Sequence, residues 1–359
     1  MIMYDIIIVG AGPAGANLAR LIGNQYKVLL IDKRDRENEK PSNLSHKCCG
    51  GLLAPDAQKM IAFLGLGIPG DILVDPQLFA VRTIDLSAKL ERLYQRFYFN
   101  IDRDKFDKWF VSLIPDTVEK KFNASFLDFS EIPGGYEVRY LYNKQLISEK
   151  TKVIIGADGA SSRVRHLIAK NSTKSIATPD KYIAIQEWFE CAYKLPYYTA
   201  IFDEEISDFY SWIIPKGNSL LLGAALKPRE NTREKYELLK SKLTQLDYHF
   251  GNKVKSESAF ILRPTKTSQL FTGKDSTALI GEAAGAISPS SAEGISYALK
   301  SSYYLAQSLE GGIDGFLDRY RHIMNHIKLN LLLKNLKSPA MYNPSLRKLA
   351  MKSGLQSIK

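Results

Sequence analysis

The feature that most constrains this chain is the glycine-rich stretch IIIVGAGPAG at positions 6–15. It closes an apolar run, Tyr4 to Val9, that is typical of a buried strand, and it leads into a segment, Ala14 to Ile22, with the pattern of a helix. A Gly-x-Gly-x-x-Gly turn between a strand and a helix is typical of dinucleotide-binding folds. We therefore predict an α/β domain that begins with this turn.

Each glycine of the turn has its own role in the approach of a phosphate. Gly10 allows the tight turn, Gly12 lets a pyrophosphate approach the backbone, and Gly15 permits close contact between helix and strand. Pro13 and Ala14 begin the helix, whose N-terminus favours the negative charge of a phosphate. We predict that these five residues bind a dinucleotide cofactor.

A carboxylate stands at the end of the second predicted strand, Lys27 to Ile31. In dinucleotide-binding folds, an acidic residue at this place accepts hydrogen bonds from the ribose hydroxyls of adenosine. This makes Asp32 a candidate ligand, together with its neighbour Lys33. The structural alternative is a glycine-rich turn followed by an aspartate that binds no ligand.

Length and composition fit a globular protein with two domains, or with one domain and a large insertion. The chain has 359 residues, of which 45% are hydrophobic, and this is enough for packed cores. No run approaches the roughly 20 apolar residues that span a bilayer. The N-terminus enters a strand without a signal-peptide pattern. We expect a cytoplasmic protein.

The three cysteines and five histidines predict neither a disulfide framework nor a metal site. Cys48 and Cys49 are adjacent, which is not a zinc-ligand spacing, and the histidines form no ligand pattern. A disulfide between these two neighbours is not expected in a reducing cytoplasm. We predict no metal.

The net charge of +11 is concentrated near the C-terminus. Residues 319–359 contain nine lysines or arginines and no acidic residue, and apolar residues are interspersed among them. Such a segment can rest on an anionic surface at the inner face of the membrane. It is equally typical of a terminal helix packed on its domain, and it would suit an acidic electron-donor protein. We predict no nucleic-acid partner, since no recognition module accompanies the charge.

A second glycine turn follows a predicted strand in TKVIIGADGASSRVR (151–165). Strands of this kind return the chain to a nucleotide-binding sheet, and Asp158 is the candidate site residue of the turn. Arg163 and Arg165 could meet an NADPH phosphate or a substrate pyrophosphate, because arginine binds phosphate with two hydrogen bonds. The alternative is that they cap surface carboxylates.

A third glycine turn lies in STALIGEAAGAISPSSAEGISYAL (276–299), between a short strand and a helix predicted from about Ala292. The carboxylate of the turn could hold ribityl hydroxyls of a flavin. The N-terminus of the helix could face the flavin pyrimidine edge, where reduction places negative charge. The candidate site residues are Gly281, Glu282, Gly294 and Ile295.

Together, the three stretches resemble the fingerprints of the FAD-dependent oxidoreductases with the para-hydroxybenzoate-hydroxylase fold. These fingerprints are an N-terminal glycine turn, an Asp-Gly motif and a Gly-Asp motif near the C-terminus, and the resemblance implies FAD as the cofactor. Glu282 stands where the family usually has aspartate. The segment FNIDRDKFDKWF (99–110) is similar to the family's helix-entry segment, which implies that Arg103 approaches the flavin.

Two shorter motifs resemble the geranylgeranyl reductase branch of these flavoproteins. KCCGGLL (47–53) is similar to its Lys-x-Cys-Gly segment, with Cys49 at the cysteine position, and YSWIIP (210–215) is similar to its Tyr-x-Trp-x-Phe-Pro motif. With CGGLLAPDAQ and the third glycine stretch, they resemble the CbrA group within this branch over nearly the whole chain. The resemblance implies an FAD-dependent oxidoreductase that reduces C=C bonds of an isoprenoid or lipid-like substrate.

Reduction of an isolated alkene requires a hydride, a proton and a pocket that excludes water and oxygen. Ten aromatic residues from Tyr182 to Trp212 lie in strand-like runs, so one set can line an apolar cavity. We place Tyr210 and Trp212 there, the alternative being a well-packed sheet. Cys49, beside Gly50, is predicted to lie close to the flavin, where a thiol positions substrate, donates a proton or limits oxygen access. Its alternative role is that of a small buried residue.

The predicted fold class is α/β (α+β overall), with a Rossmann-like FAD-binding domain, an interleaved antiparallel β-sheet substrate domain and C-terminal helices. A turn at 215–218 and a charged helix at 229–246 are predicted in the substrate domain. The predicted boundaries are 1–75, 100–178 and 265–312 for the FAD-binding domain, 76–99 and 179–264 for the substrate domain, and 313–359 for a basic helical tail.

The sequence leaves the electron donor and the reaction class open. No separate glycine-rich site for NAD(P)H is visible, so the donor is expected to be a transiently bound NAD(P)H or a reduced carrier protein. A flavin monooxygenase or halogenase shares the fold, and YSWIIP partly resembles the halogenase motif Trp-x-Trp-x-Ile-Pro, although Tyr210 replaces its first tryptophan. A flavin-bound, membrane-associated binding protein is the third alternative, in which the basic tail matters more than the pocket.

Overall fold

The computed structural model describes residues 3–35, 48–172, 175–191, 195–228 and 230–358. The strands in these ranges are β1 (Met3–Val9), β2 (Val28–Ile31), β3 (Leu52–Leu53), β4 (Leu78–Asp85), β5 (Leu90–Asn100), β6 (Glu119–Lys121), β7 (Ala124–Ile132), β8 (Gly135–Tyr142), β9 (Gln145–Gly156), β10 (Asp180–Glu190), β11 (Tyr198–Asp203), β12 (Ser207–Lys216), β13 (Ser219–Leu226), β14 (Lys253–Arg263), β15 (Gly273–Lys274) and β16 (Thr277–Leu279). The helices are α1 (Pro13–Ile22), α2 (Pro55–Phe63), α3 (Arg103–Ser112), α4 (Arg163–Lys170), α5 (Thr232–Thr244), α6 (Ile295–Glu310), α7 (Phe316–Ile323), α8 (Asn325–Lys337), α9 (Pro339–Tyr342) and α10 (Pro344–Ser353).

The chain divides into two compact units, each assembled from three separate stretches. The predicted α/β class is confirmed, since each unit is built on a sheet and helices accompany both. The first unit comprises 1–46, 104–180 and 262–333, and the second unit comprises 47–103, 181–261 and 334–359.

This division differs from the predicted domain boundaries mainly at two places, and the other boundaries are shifted by two to four residues. Residues 47–75 belong to the second unit rather than to the predicted FAD-binding domain, because β3 pairs with β5 there. The predicted tail is divided between the units after position 333. Its last residues belong to the second unit because they join β5: the backbone N–H of Ile358 donates to the carbonyl of Leu93 at 2.7 Å.

The first unit is built on a sheet whose parallel strands carry the first glycine turn. The strand order is β15-β16-β9-β1-β2-β6, and β8 and β7 continue from β9 as antiparallel strands. β1 lies between β2 and β9 and pairs with both in parallel. Ile6, Ile7 and Ile8 are fully buried, as expected for a parallel strand covered on both faces. Asn17 of α1 donates from Nδ2 to Oγ of Ser302 on α6 at 2.8 Å.

The second unit is built on a largely antiparallel sheet. The strand order is β14-β10-β13-β12-β11-β4-β5-β3, in which β11 and β4 form a parallel pair. One face of the central strands packs under α5, where Ile213 contributes to the same buried cluster as Tyr236. The predicted charged helix therefore covers one face of the sheet. Lys216 and Pro215, predicted in a turn, are the last residues of β12, so the turn itself is 217–218.

The helix predicted from about Ala292 begins three residues later. Ala292 has a backbone φ of +49°, which an α-helix does not allow, and α6 starts at Ile295 with Gly294 as its N-cap. The preceding residues form a turn in which the backbone N–H of Ser288 donates to the carbonyl of Glu293 at 2.9 Å.

The C-terminal residues from α7 onward are mainly helical, as predicted. A buried ion pair holds α10 to the sheet of the second unit: Nε of Arg347 donates to Oδ2 of Asp85 at 2.7 Å. Among the helices of the described residues, none has the length and apolar character needed to cross a membrane.

Candidate functional site

The first glycine turn depends on glycine at two of its three positions. Gly10 has a φ of +107°, and a Cβ there would lie 2.5 Å from the carbonyl oxygen of Ala157. A Cβ on Gly15 would lie 1.9 Å from the carbonyl oxygen of Gly10. In front of Gly12, the nearest atom is Nη2 of Arg34 at 4.0 Å, which leaves room for a ligand. Phosphate binding at Gly12 stays a prediction.

Asp32 lies beside the turn and is held by it. Its Oδ2 accepts a hydrogen bond from the backbone N–H of Ala11 at 2.7 Å, and its Oδ1 accepts one from the backbone N–H of Arg34 at 2.8 Å. Nη2 of Arg34 forms an ion pair with Oδ2 at 3.1 Å. Arg34 was missed at the sequence level, although an arginine two residues after the carboxylate was a visible signal. Lys33 is exposed, and its role as a ligand stays a prediction.

The second glycine turn is used in the structure mainly for local capping. Oδ1 of Asp158 accepts from Oγ of Ser162 at 2.6 Å, and its Oδ2 accepts from the backbone N–H of Arg163 at 2.7 Å. Burial raises the pKa of Asp158. These bonds fix the start of α4, so capping is a role of Asp158 that the sequence did not predict.

Arg165 does not have the phosphate-binding or surface-capping role considered for it. It is only 7% exposed, and its guanidinium donates to the backbone carbonyls of Ala283, Ala177 and Gln269 at 2.9 to 3.1 Å. Burial lowers the pKa of Arg165 to about 10. It ties three segments of the first unit together, whereas Arg163 donates from Nε to the carbonyl of Leu127.

The third glycine turn places two carboxylates of the first unit. Oε1 of Glu282 accepts from the backbone N–H of Leu262 at 3.0 Å, which uses part of the carboxylate predicted to hold ribityl hydroxyls. Glu293 accepts from the backbone N–H and Oγ of Ser296 at 2.7 and 2.6 Å. A carboxylate thus already caps part of the N-terminus of α6. The ligand roles predicted for Gly281, Glu282, Gly294 and Ile295 stay predictions.

In the second unit, Cys49 contacts a guanidinium group. Nη1 of Arg103 lies 3.3 Å from Sγ of Cys49, within hydrogen-bond distance for sulfur. Cys49 is partly buried, and its neighbour Cys48 is buried; both are thiols rather than a vicinal disulfide. An arginine at this distance stabilises a thiolate. Lys47, predicted as part of the same motif, lies outside the described residues.

Lys216 is a further ionisable side chain in this region and was not identified as a site residue at the sequence level. Its Nζ donates to the backbone carbonyls of Gly51 at 3.0 Å and Ile101 at 2.9 Å. Burial lowers the pKa of Lys216 to about 7, although the charges of Cys49 and Asp102 act in the opposite direction. Lys216 thereby connects the strand that follows Cys49 to the residues that precede Arg103, and it titrates near neutral pH.

Tyr210 and Trp212 lie together on the same strand, β12, with ring centroids 5.4 Å apart. Tyr210 also packs against Tyr198 and Phe202. The hydroxyls of Tyr198 and Tyr210 are hydrogen-bonded to each other, and burial raises the pKa of both. The indole of Trp212 is 7% exposed. The structure therefore shows these aromatic side chains packed against one another; the cavity predicted around Tyr210 and Trp212 and its contact with a substrate stay predictions.

A groove of about 270 Å³ also belongs to the second unit, but neither Tyr210 nor Trp212 lines it. It opens beside α2, and its walls are mostly aliphatic. The lining residues are Gln58, Ile61, Ala62, Leu66, Ile68, Leu73 and Phe99. The apolar cavity predicted around Tyr210 and Trp212 is therefore not this groove.

The residues of the first unit fit the phosphates and ribose of a dinucleotide. Gly12 is the N-cap of α1 and supplies no side-chain cap, so N–H groups of the first turn are available to an anion. The space in front of Gly12 would be filled by any larger side chain. Asp32 and Arg34 provide an acceptor and a cation next to that space. This arrangement can hold a pyrophosphate and an adenosine ribose.

No protein-family model matches this chain. Among curated proteins, the chain is similar to protein CbrA of Escherichia coli and to protein CbrA of Shigella sonnei. Each is 38% identical to it over 356 residues, which cover 99% of this chain and 98% of the relative.

The fold is shared with several solved structures at low sequence identity. A geranylgeranyl bacteriochlorophyll reductase-like protein from Thermoplasma acidophilum has a TM-score of 0.79 and 20% identity, covering 95% of this chain and 87% of that one. A probable FAD-dependent monooxygenase from Pseudomonas aeruginosa has a TM-score of 0.69 and 18% identity, covering 99% and 100%. A flavin-dependent brominase has a TM-score of 0.70 and 19% identity, covering 98% and 93%. These similarities establish a common fold, not a common reaction.

Proposed function

The chain belongs to the CbrA family, and from this premise we propose that it is an FAD-dependent oxidoreductase that reduces C=C bonds of an isoprenoid or lipid-like substrate. Three structural neighbours are described as reductase-like, FAD-dependent and flavin-dependent. The glycine turn, Asp32 and Arg34 of the first unit support FAD as the cofactor. The resemblance of KCCGGLL and YSWIIP to motifs of the reductase branch is the reason for proposing reduction rather than oxygenation.

The observation that carries this proposal is the group formed by Cys49, Arg103 and Lys216 in the second unit. It brings together a thiol, a permanent cation and an amine that titrates near neutral pH, and the amine is on the strand that carries Tyr210 and Trp212. When bound and reduced, FAD supplies a hydride, and the alkene needs one proton in addition. The chain must provide the group from which this proton comes.

We assign the proton to Sγ of Cys49. With a hydride, the two-electron reductant that bound FAD would supply, on one alkene carbon, the Cys49 proton would add to the other carbon, so that C=C would become CH–CH and Sγ would be left as a thiolate. The thiolate left behind is stabilised by Nη1 of Arg103 at 3.3 Å. Lys216 bonds to the carbonyl of Gly51, two residues from Cys49, and its ammonium form can return a proton to the thiolate. Tyr210 and Trp212 support the binding of an apolar chain.

Reoxidation of the anaerobically reduced protein tests the reaction class. Prenyl-lipid extract and oxygenated buffer are mixed separately with the reduced protein, while flavin absorbance and lipid mass are followed. Reoxidation by lipid without oxygen, with a gain of two hydrogens in the lipid, supports reduction. Reoxidation by oxygen alone, through a detectable flavin hydroperoxide, would favour the monooxygenase or halogenase alternative. Reduction of the flavin by NADPH or by a reduced carrier protein identifies the electron donor.

One surface of the chain supports contact with an anionic membrane. Four leucines of α8, namely Leu329, Leu332, Leu333 and Leu336, are 44 to 69% exposed and form one stripe at helical spacing. The opposite side of the helix is buried through Ile327 and Leu331. Lys328 and Lys337 are exposed and flank the stripe.

These charges decide the partner that we propose for the leucine stripe. Residues 319–359 carry nine basic and no acidic side chains. An anionic bilayer therefore complements the charge around the stripe better than a second copy of the same protein, which would present the same basic segment. The leucines would enter the interface while the lysines reach the head groups. Such contact would bring the protein to a lipid-like substrate. It is equally the observation that favours the alternative of a flavin-bound, membrane-associated binding protein.

A further inference from the structure

Among the buried polar atoms of the second unit that have no hydrogen-bond partner within the described residues, two belong to side chains that lie close together. They are Oε1 of Gln186 and Nε1 of Trp212. Gln186 is 1% exposed and Trp212 is 7% exposed, so bulk water does not satisfy either atom. Native proteins rarely leave a buried donor or acceptor unpaired, because its desolvation is then not compensated. Each of these atoms therefore indicates a missing polar partner.

The two side chains are neighbours on one row of the sheet. Gln186 on β10 pairs in register with Gly223 on β13, and Gly223 pairs with Trp212 on β12. A Cβ on Gly223 would lie 2.2 Å from Nε1 of Trp212. The nitrogen edge of the indole therefore lies over the middle strand, and the glycine is required for this position. Since adjacent strands are about 4.8 Å apart, one small group can reach both side chains.

A second glycine borders the same place. A Cβ on Gly50 would lie 4.0 Å from Nε2 of Gln186 and 4.0 Å from Nε1 of Trp212. The amide and the indole thus converge on the segment next to Cys49. Cδ1 of Ile214 would lie 2.5 Å from the same Cβ and supplies an apolar wall. The result is a small site with one donor, one acceptor and an aliphatic side.

We propose that Gln186 and Trp212 form a subsite for a hydroxyl group of the substrate. The indole N–H donates to the hydroxyl oxygen, and the hydroxyl proton is donated to Oε1 of Gln186. An alcohol satisfies both atoms at once, whereas a ketone or an ether pairs only with the indole and a protonated amine pairs only with the amide oxygen. This inference rests on the proposed function and narrows its substrate to a lipid-like alcohol.

Binding of a prenyl alcohol and its methyl ether tests the subsite. The probes are geranylgeraniol and geranylgeranyl methyl ether, which differ in the hydroxyl proton, and equilibrium dialysis is performed with the flavin-loaded full chain. The wild-type protein should bind the alcohol at least about tenfold more tightly than the ether. Gln186→Leu should remove this preference, mainly by weakening alcohol binding. Trp212→Phe should weaken binding of both probes, and the matched variant Trp188→Phe on β10 should keep the wild-type preference.

The outcomes separate the subsite from the reaction. Equal affinity of the wild-type protein for the two probes, or no binding of either, overturns the subsite; a buried water would then bridge the two atoms. The subsite is also overturned if Gln186→Leu keeps the preference for the alcohol over the ether. The same holds if this variant binds FAD more weakly while its preference for the alcohol is unchanged. If the preference is present but neither probe reoxidises the reduced flavin, the subsite stands and the proposed reduction fails. Reoxidation without any preference refutes the subsite alone.

Discussion

The glycine turn of the first unit and the polar group of the second unit are built in different ways. In the glycine turn, a Cβ at Gly10 or Gly15 would meet a carbonyl oxygen, and the space in front of Gly12 is open, so this region is defined by the absence of side-chain atoms. Cys49, Arg103 and Lys216 work through side-chain atoms that meet from distant parts of the chain. A local backbone site is therefore visible in a short sequence motif, whereas a side-chain site becomes visible only after folding.

Among the changes considered, loss of the Cys49 thiol in the second unit should have the largest effect, and the affected quantity is the rate of reaction with substrate. In Cys49→Ala, single-turnover reoxidation of the reduced flavin by substrate should slow by about 10²- to 10⁴-fold, because general acids contribute on this scale. The unfolding temperature and FAD content should not change. The matched variant Cys48→Ala removes a buried thiol whose Sγ lies 3.8 Å from the carbonyl of Ala184, and it should keep near-normal turnover. Equal losses in both variants would show that packing, not proton donation, is being measured.

A single added methyl group in the glycine turn of the first unit should reduce either folding stability or FAD binding. Gly15→Ala brings a Cβ to 1.9 Å from the carbonyl oxygen of Gly10, and we expect a loss of about 3 kcal/mol in the free energy of unfolding. Gly12→Ala has room for its Cβ, so it should fold normally but bind FAD at least tenfold more weakly, an estimate of about 1.4 kcal/mol. Denaturant unfolding and flavin titration measure the two effects. Gly67→Ala, with no atom within 4 Å of its Cβ, serves as the control.

The leucine stripe differs from both the glycine turn and the Cys49 group, because exposed side chains alone form it. L332Q/L333Q should reduce co-sedimentation with anionic phosphatidylglycerol vesicles by about tenfold or more. K328Q/K337Q should reduce it by about fivefold for each lysine at low salt, whereas K89Q/K144Q on the exposed turns should have little effect. Uncharged phosphatidylcholine vesicles should bind weakly. Sedimentation as a dimer that L332Q/L333Q converts to a monomer would assign the stripe to a second copy of the chain.

The smallest expected effect is the pH dependence contributed by Lys216. Its pKa is about 7 in the folded protein and 10.5 in its unperturbed state. Between these values the unfolded chain binds a proton that the folded chain lacks, so folding stability should rise with pH from about 7 upward. Compared with K216M, the free energy of unfolding of the wild-type protein should increase by at most about 1.4 kcal/mol per pH unit. Urea titrations at pH 7, 8 and 9 measure this, and parallel curves would contradict the low pKa.

The sequence predicted those parts of the fold that depend on residues close together in the chain. The strand, turn and helix around Gly10 agree with the structure to within one residue at the ends of β1, α1 and β2. The helix α5 and its position over one face of the sheet were also predictable from charge and periodicity. The start of α6 was misplaced because the backbone of Ala292 adopts a positive φ, which few sequence patterns reveal for alanine.

Other residues could not be interpreted from the sequence because their partners are remote. Arg165 has the sequence pattern of a phosphate ligand, yet it donates to carbonyls as far away as Ala283. Lys216 lies 165 residues from Gly51, whose carbonyl it binds. Every residue has a backbone carbonyl group, so the amino-acid sequence does not indicate which carbonyl a distant side chain binds.

The amino-acid sequence by itself determined the α/β class, the glycine turn and the choice of Asp32 and Cys49 as candidate site residues. These follow from local sterics, periodicity and residue chemistry, which neighbouring residues decide. Only the tertiary structure decided that Arg103 contacts Cys49, that Lys216 is desolvated, and that Gln186 and Trp212 converge across Gly223. Burial, desolvation and strand register are properties of groups brought together by folding, and no short segment of the chain contains them.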